Sequence, residues 1–332
     1  MRPTARHVAE LAGVSVATVS YVLSGRDRPV AAETRRRVLE AAEQLGYTPN
    51  QAARSLRRKN TMRVCLLQGA VGGVPTDDRM ARDLHEMADS HGYSVITLAV
   101  YSNARAEAAL DLLRGGIADG VLAHQVGEHL TRDKLATLVA ARLPLVVVGN
   151  EPAPEGCDTV SSPETDSCEQ AASYLAEQGR RRIAFMAQRP ELYREEPTGR
   201  LLGYTRALAR HGLERIVVSG ADDRISAYHA ATELLSGAEP PDAIFAASDR
   251  AAISTIWAAR DLGLRVPDDV AVIGVGNIDE GLITRPQLST VGPLRHDYTE
   301  VVRLLFDRLT SQQPLPDREI VRPWTFVHRG SA

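Results

Sequence analysis

The residues best suited to recognition chemistry form a short run near the start of the chain, at positions 15–23. In a helix, Val16 and Ala17 could pack against thymine methyl groups, while Thr18 and Ser20 could bond phosphates. Tyr21 could bond one base edge or a phosphate. Small and hydroxyl-bearing side chains are what a helix pressed into the major groove of double-stranded DNA requires, so we predict that this run contacts DNA.

Two short helices must position this run. Gly13 lies in a tight turn between them, and Thr4 and Ser15 are predicted N-caps because their hydroxyls can accept bonds from first-turn N–H groups. His7, on the first helix, is placed to touch a phosphate or solvent. The two apolar faces, at helical spacing, are Val8, Leu11 and Ala12 and then Val19, Val22 and Leu23. The pattern predicts a helix-turn-helix, although a helical hairpin at the head of an enzyme has the same period.

The next segment favours the DNA-binding interpretation. Residues 31–45 predict a third helix, with Val38, Leu39, Ala41, Ala42 and Leu45 as its apolar positions and Gly46 as its C′ residue. Residues 51–59 are basic with the single large apolar side chain Leu56. A helix this short is marginal alone and is expected to order on a partner, and a leucine among cations suits a wedge in the minor groove.

The charge distribution supports a cationic head. The net charge of −3 divides into 12 Lys and Arg against 5 Asp and Glu in residues 1–63, and 27 against 37 in the remainder. Such a division suits phosphate contact at one end and repels DNA from the other, with an ordinary solvated basic face as the alternative.

Bulk composition limits the class of protein. The chain has 332 residues, of which 44% are hydrophobic and 24% charged, which is typical of a globular protein with more than one domain. Cys65, Cys157 and Cys168 form no CxxC pair and are expected to be free, buried thiols. No apolar run approaches the length of a membrane span, and residues 1–4 do not lead into a signal-peptide core, so we predict a cytoplasmic protein without membrane contact.

From residue 62 the chain alternates strands with helices, which predicts two doubly wound parallel-sheet α/β lobes. The predicted strands cover residues 64–67, 94–100, 120–123, 145–148, 183–187, 216–218, 243–246 and 270–275. A ligand cleft is expected between the lobes, where loops leave the carboxyl ends of the strands.

Several motifs resemble those of the lactose-repressor (LacI/GalR) family of bacterial transcription regulators. They include Gly13-Val14-Ser15-Val16-Ala17-Thr18-Val19-Ser20, Glu33-Thr34-Arg35, Leu45-Gly46-Tyr47, Ala53-Arg54-Ser55-Leu56, Gly179-Arg180-Arg181-Arg182-Ile183, Gly203-Tyr204 and Leu288-Ser289-Thr290-Val291. The resemblance implies a helix-turn-helix domain at residues 1–48, a hinge helix at 49–60 that folds in the minor groove, and a periplasmic-binding-protein-type effector and dimerisation domain at 61–332.

The resemblance also implies how the body is divided. Lobe one is expected at residues 61–160 and 291–317, including a return helix at 293–309, and lobe two at 161–290 and 318–332, ending in a strand near 321–327. The expected DNA-contacting residues are Thr4, His7, Ser15, Val16, Ala17, Thr18, Ser20, Tyr21, Asn50, Ala53, Arg54, Leu56 and Arg57.

The effector positions depart from the family pattern. The family's aromatic platform after the first strand is replaced at residues 75–77, which removes a stacking surface for a sugar or base, and Gly276 stands where a carboxylate usually accepts hydroxyls. The remaining candidates for a polar effector are Thr76, Asp77, Arg79, Tyr193, Arg200, Ser248, Asp249 and Asn277. The alternative is a vestigial cleft, in which Asp249 only caps its helix and Arg200 only pairs at the lobe boundary.

The head has two departures of its own. Tyr21 replaces an arginine that can bond guanine in a bidentate way, so a shifted operator sequence is expected. Ala31 replaces a serine N-cap ahead of the third helix, at an expected cost of roughly 1 kcal/mol.

Enzyme and cofactor interpretations find little support. Gly274 and Gly276 follow a strand, but Asp279 stands where a dinucleotide fingerprint needs its third glycine. His124 and His129 are expected to be surface histidines in a loop, with no metal site. We therefore predict a homodimeric repressor, without catalytic activity, cofactor or metal, that binds a palindromic operator and responds to a small polar effector. The alternative is a ligand-independent or protein-partner-gated DNA-binding regulator.

Overall fold

The computed structural model describes residues 3–24, 30–47, 60–69, 75–124, 129–193, 197 and 199–332. The head contains α1 (Ala5–Ala12), α2 (Val16–Ser24) and α3 (Ala32–Gln44), as the sequence predicts. Its core is formed by Val8, Ala9, Ala12, Val19, Val22, Val38, Ala41 and Ala42. Leu11 and Leu39 were expected on the buried faces, but both are about half exposed at 49% and 48%. That expectation was wrong because the buried stripe runs through Val8, Ala9 and Ala12 on α1 and through Val38, Ala41 and Ala42 on α3, and neither leucine belongs to it.

The first α/β unit follows. Its elements are β1 (Arg63–Gln68), α4 (Pro75–Ser90), β2 (Ser94–Ala99), α5 (Asn103–Arg114), β3 (Gly120–His124), α6 (Arg132–Ala140), β4 (Leu145–Val148) and β5 (Asp158–Ser161). With β11 (Glu319–Val321), these strands form a parallel sheet in the order β11-β5-β4-β3-β1-β2. The strands from β1 to β4 match the predicted ones to within a few residues, whereas β5 was not predicted.

The second unit contains α7 (Thr165–Glu177), β6 (Ile183–Ala187), α8 (Arg189–Leu192), α9 (Gly199–His211), β7 (Ile216–Ser219), α10 (Arg224–Leu235), β8 (Ala243–Ala246), α11 (Asp249–Asp261), β9 (Ala271–Val275), α12 (Glu280–Ile283) and β10 (Ser289–Gly292). With β12 (Thr325–Val327), its strands lie in the order β12-β10-β9-β8-β6-β7. Strands β10 and β12 pair antiparallel, so this sheet is not purely parallel as the sequence pattern indicated.

The last part of the chain connects the two units. Helix α13 (Thr299–Thr310) packs in the core of the first unit, where Val302, Leu305 and Phe306 are buried beside α4 and the sheet. It begins six residues later than predicted. The final strand predicted near 321–327 is instead two strands, β11 in the first sheet and β12 in the second, because the chain crosses between the units at residues 322–324. Within the described ranges, no helix has the length and apolar character needed to cross a membrane.

Candidate functional site

Helix α2 has an outward face, and a side-chain cap holds its first turn. Ser15 Oγ accepts a hydrogen bond from the Thr18 backbone N–H at 3.1 Å and lies 2.9 Å from Thr18 Oγ1, which confirms Ser15 as the N-cap. Val16 is 46% exposed and Ala17 is also exposed, whereas Val19 is buried against the other two helices. The remaining predicted contact residues of this helix, Thr18, Ser20 and Tyr21, are half-buried.

Helix α1 is held in place at both ends. At its N-cap, the Thr4 backbone N–H donates to His7 Nδ1 at 3.3 Å, so both predicted residues lie at the start of the helix. At the other end Gly13 adopts φ of 64°, a left-handed conformation that glycine accepts without strain, and the chain turns directly into α2. This geometry fixes the two helices relative to each other.

Helix α3 starts without a side-chain cap, as predicted for Ala31. Arg36 on this helix is engaged by Glu33 at 2.6 Å and by Glu40 at 2.9 Å, so its charge is compensated locally. The predicted hinge contacts Asn50, Ala53, Arg54, Leu56 and Arg57 lie outside the described residues.

A second candidate site is a cavity of about 820 Å³ between the two sheets. Because all strands except β12 run parallel within their sheets, their carboxyl ends lie at one edge of each sheet, and residues near those ends line the cavity from both sides. His124, Asn150 and Ser162 contribute from the first sheet. Gln188 and Ser248 contribute from the second.

The structure brings together only some of the predicted effector residues. Arg200, Ser248 and Asp249 line the cavity. Arg79, Tyr193 and Asn277 are not among its described lining residues. The side chains of Thr76 and Asp77 lie outside the described residues.

Arg79, Tyr193 and Asn277, which do not line the cavity, either contact other protein groups or are exposed. Arg79 pairs with Asp83 one turn along α4 at 3.0 Å, and Tyr193 is 81% exposed. Asn277 adopts φ of 52° and donates from Nδ2 to the Pro293 carbonyl at 2.7 Å, which fixes the loop after β9 rather than a ligand.

Arg200 lies on a wall of the cavity and is held by protein groups. Its Nε donates to Glu164 Oε2 at 3.1 Å, and its Nη1 donates to the Ala247 carbonyl. Its guanidinium also lies 5.5 Å from the centre of the Trp324 ring. Arg200 therefore ties α9 to the end of β8 and to the crossover segment.

Asp249 links α11 to the next two strands. Ser248, not Asp249, caps the helix, because Ser248 Oγ accepts from the Ala251 N–H at 3.2 Å. Asp249 accepts from the Ile278 N–H at 2.8 Å and from Thr290 Oγ1 at 2.5 Å. The expectation that Asp249 only caps its helix was wrong, since its carboxylate is directed toward the loop after β9 and toward β10.

Burial of Asp249 predicts a pH-dependent stability. Burial raises the pKa of its carboxyl to about 6 from the ordinary 3.8, so between these values the folded chain binds more protons than the unfolded chain. The free energy of unfolding should then fall as pH rises from about 4 to about 6. Asp249→Asn should remove this part of the pH dependence, as measured by urea unfolding across that range. The exposed Asp166→Asn is the matched control, and an unchanged profile in Asp249→Asn would contradict the assignment.

Several lining residues were missed by sequence reasoning. His124 ends β3 and is 7% exposed, so the expectation of a surface loop histidine was wrong for it. Arg250 directly follows the predicted residues Ser248 and Asp249, so its position just after β8 could have indicated it. Tyr298 and Arg322 reach the cavity only because the chain crosses between the units, which no local pattern indicates. Among described residues, no group of three or more His, Cys, Asp or Glu side chains is placed to hold a metal ion.

Comparison with known proteins matches both parts of the chain. Residues 4–50 match the family described as bacterial regulatory proteins, lacI family, and residues 172–332 match a periplasmic binding protein-like domain. Catabolite control protein A of Priestia megaterium is 30% identical over 338 residues, covering 100% of this chain and 99% of the relative. The HTH-type transcriptional repressor CytR of Escherichia coli (strain K12) is 33% identical over 318 residues, covering 93% and 90%. A solved structure of a transcriptional regulator CelR-cellobiose complex aligns with a TM-score of 0.68 at 30% identity and covers 100% of both chains.

Proposed function

The chain belongs to the lacI family of bacterial regulatory proteins and is a DNA-binding transcription regulator, and we propose that it is a repressor that binds a palindromic operator as a homodimer. The observation that carries the proposal is the outward face of α2, capped by Ser15 and exposed at Val16 and Ala17. This face belongs to the cationic end of an otherwise acidic chain. A homodimer carries two such helices, and two-fold symmetry of the protein calls for two-fold symmetry of the DNA site.

We place the domain boundaries after residues 48 and 60. Residues 1–48 bind the major groove, residues 49–60 form a hinge that folds in the minor groove, and residues 61–332 bind effector and the second protomer. The two lobes of this last domain are assigned to about residues 61–160 with 291–317 and to about residues 161–290 with 318–332, except that β11 belongs to the first sheet and all of β10 to the second. The protein then acts in the cytoplasm, where operator DNA is accessible, and the proposal includes no catalytic step.

The cavity supports control by a small polar molecule. Its volume of about 820 Å³ lies in the range of small-molecule sites, and its walls come from both lobes. A ligand that contacts both lobes stabilises one arrangement of them and so changes the population of DNA-binding protein. The alternative, a regulator that needs no ligand, is favoured by one observation, that protein groups already engage Arg200 and Asp249.

Titration of fluorescent duplex DNA with the full chain at rising salt concentration tests the proposal. The association constant should fall steeply with salt, because binding of Lys and Arg to phosphates releases counterions. Sedimentation of the complex should give two chains per specific duplex. Absence of DNA binding at low salt would overturn the regulator proposal, and one chain per duplex would overturn the homodimer.

The hinge assignment predicts the effect of one substitution. Leu56→Ala should weaken operator binding about tenfold, because the variant loses an apolar wedge between base steps. The same variant should sediment as a dimer. Unchanged operator affinity in a band-shift assay would contradict the wedge role.

A further inference from the structure

The charged groups that line the cavity are not evenly paired. Four carboxylates reach it, and each is compensated by protein groups. Glu164 accepts from Arg200, and Asp222 Oδ1 accepts from the Arg189 backbone N–H at 3.0 Å with the Arg189 side chain 3.5 Å from Oδ2. Asp223 accepts from two peptide N–H groups of the first turn of α10 at 2.9 Å, which places it at the positive end of that helix.

The fourth carboxylate, Asp249, is 2% exposed and accepts from the Ile278 N–H and from Thr290 Oγ1. All four carboxylates therefore already accept hydrogen bonds from the protein. A ligand rich in donors finds few unoccupied acceptors on these walls.

The four arginines of the cavity fall into two pairs. Arg200 is held by Glu164, and Arg224 lies 3.4 Å from Glu280. Among the described residues neither Arg250 nor Arg322 forms an ion pair within 4.0 Å, although the charge of Arg322 helps to lower the pKa of Asp297, which is not a lining residue. The cavity therefore has more guanidinium donors than carboxylates available to accept from them.

Arg250 shows the excess most clearly. It is the second residue of the 13-residue helix α11, at the positive end of the helix dipole. Its Nε is buried and has no hydrogen-bond partner in the described part of the chain. A buried guanidinium N–H without an acceptor is costly, so an acceptor supplied from outside the protein is favoured there.

Arg322 also lines the cavity and is held by groups of the first sheet. Its guanidinium stacks 4.6 Å from the centre of the Tyr298 ring, and its backbone N–H donates at 2.8 Å to the carbonyl of Ser161, the last residue of β5. Tyr298 in turn donates its backbone N–H to Asp83 on α4. Arg322, on the crossover segment, is thereby held against the first sheet, whereas Arg250 lies on the helix that follows β8 of the second sheet.

We propose that the cavity binds an anionic small molecule, whose carboxylate or phosphate group is held by Arg250 and Arg322. This inference rests on the proposed function, because it names the chemical class of the effector. The planar guanidinium fork matches both kinds of anion and binds them with charge-assisted hydrogen bonds. Because Arg322 is held against the first sheet and Arg250 lies on a helix of the second, the anion ties the two lobes together and favours one arrangement.

The aromatic rings of the cavity give a further reason against a neutral sugar. Trp324 and Tyr298 are the aromatic residues of the described lining besides His124, and an arginine lies over each of these two rings, Arg200 at 5.5 Å and Arg322 at 4.6 Å. One face of each ring is therefore covered, which reduces the surface available for stacking on a sugar.

A thermal-shift titration with three probes of one carbon skeleton tests the proposal. Glucose is neutral, gluconate carries a carboxylate and glucose 6-phosphate carries a phosphate, and inorganic phosphate is added as a fourth probe, all at matched ionic strength. A ligand that binds only the folded chain raises its melting temperature. We expect at least one anion to raise the melting temperature at concentrations at which glucose does not. A response to gluconate indicates a carboxylate, and a response to glucose 6-phosphate or inorganic phosphate indicates a phosphate.

Variants of the full chain locate the anion. Arg250→Gln and Arg322→Gln should each weaken anion binding at least about tenfold, the range of one lost charged contact. Arg260→Gln, at the exposed far end of α11, is the matched control and should bind like the wild type. An anion effect that persists in both cavity variants would place the anion on the basic head and overturn the proposal.

Two further outcomes would also overturn it: equal stabilisation by glucose, or no stabilisation by any anion. DNA binding by the same preparations separates this inference from the proposed function. Preparations that bind DNA but not anions contradict only the effector class, whereas failure to bind DNA contradicts the regulator itself.

Discussion

Ala17→Glu is expected to abolish specific DNA binding while leaving the chain folded. Ala17 is exposed in the first turn of α2, which is the surface proposed to enter the major groove. A carboxylate there faces a phosphate-lined groove, and like charges brought together at an interface cost several kcal/mol, which corresponds to a loss of at least about 100-fold in affinity. The loss is measured by fluorescence anisotropy with a duplex that the wild type binds specifically, selected from a randomised DNA pool.

The same substitution should not destabilise the head. A negative charge in the first turn of a helix interacts favourably with the helix dipole, and Ala17 is not part of the buried cluster of the head. Ala104→Glu, at another exposed alanine near the start of a helix (α5), is the control and should bind operator like the wild type. Equal binding by both variants would remove α2 from the DNA interface.

Asp158→Ala is expected to cause the largest loss of stability. Asp158 begins β5 and is fully buried, with Arg308 bonded to both carboxylate oxygens at 2.6 and 2.8 Å. Arg318 Nη2 donates to Asp158 Oδ2 at 2.8 Å and its backbone N–H donates to Oδ1 at 2.9 Å. Burial acts to raise the pKa of Asp158, but the hydrogen bonds from the two arginines outweigh it and hold the pKa below its ordinary value.

This network joins β5, α13 and the segment that enters β11, so it closes the first sheet before the chain crosses to the second. Removing the carboxylate leaves two cations without their central partner, and breaking such a buried pair costs about 3–5 kcal/mol. The midpoint of urea unfolding should fall accordingly. Asp111→Ala is the control, because Asp111 pairs with Arg114 at a 71% exposed site and should contribute about 0–1 kcal/mol. A midpoint shift no larger than that of Asp111→Ala would contradict the role of Asp158.

The head was predicted closely because its determinants are local. Three helices, the αL turn at Gly13 and the Ser15 cap all depend on residues within four positions of one another. The prediction of buried residues was wrong where a neighbouring helix decides which side chains are covered. Leu11 has the spacing of a core residue, but α3 packs on the adjacent stripe.

The body was predicted less completely, for a topological reason. Apolar runs identify the central strands, whereas β11 and β12 have only three residues each, none of them fully buried, so they contain no apolar run. The cavity lies where it was predicted, at the carboxyl ends of the strands, because parallel strands bring these ends together. Arg200, Ser248 and Asp249 line it. Arg322 and Tyr298 were missed, since only the crossover places them on the wall.

Asn277 illustrates the limit of a positional argument. It follows a strand end, as a ligand-binding residue should, but its left-handed backbone directs the side chain to the Pro293 carbonyl and to Arg329. Neither contact is close in sequence. A residue at a strand end reaches a ligand only if the loop leaves its side chain free, and this depends on distant partners.

Selection of duplexes from a randomised DNA pool by the full chain tests the central claim most directly. We expect enrichment of one sequence with two-fold symmetry, protected from cleavage on both half-sites, and no enrichment by Ala17→Glu under the same conditions. Failure to enrich any sequence, or enrichment of the same sequence by Ala17→Glu, would contradict the assignment of α2 as the element that reads DNA.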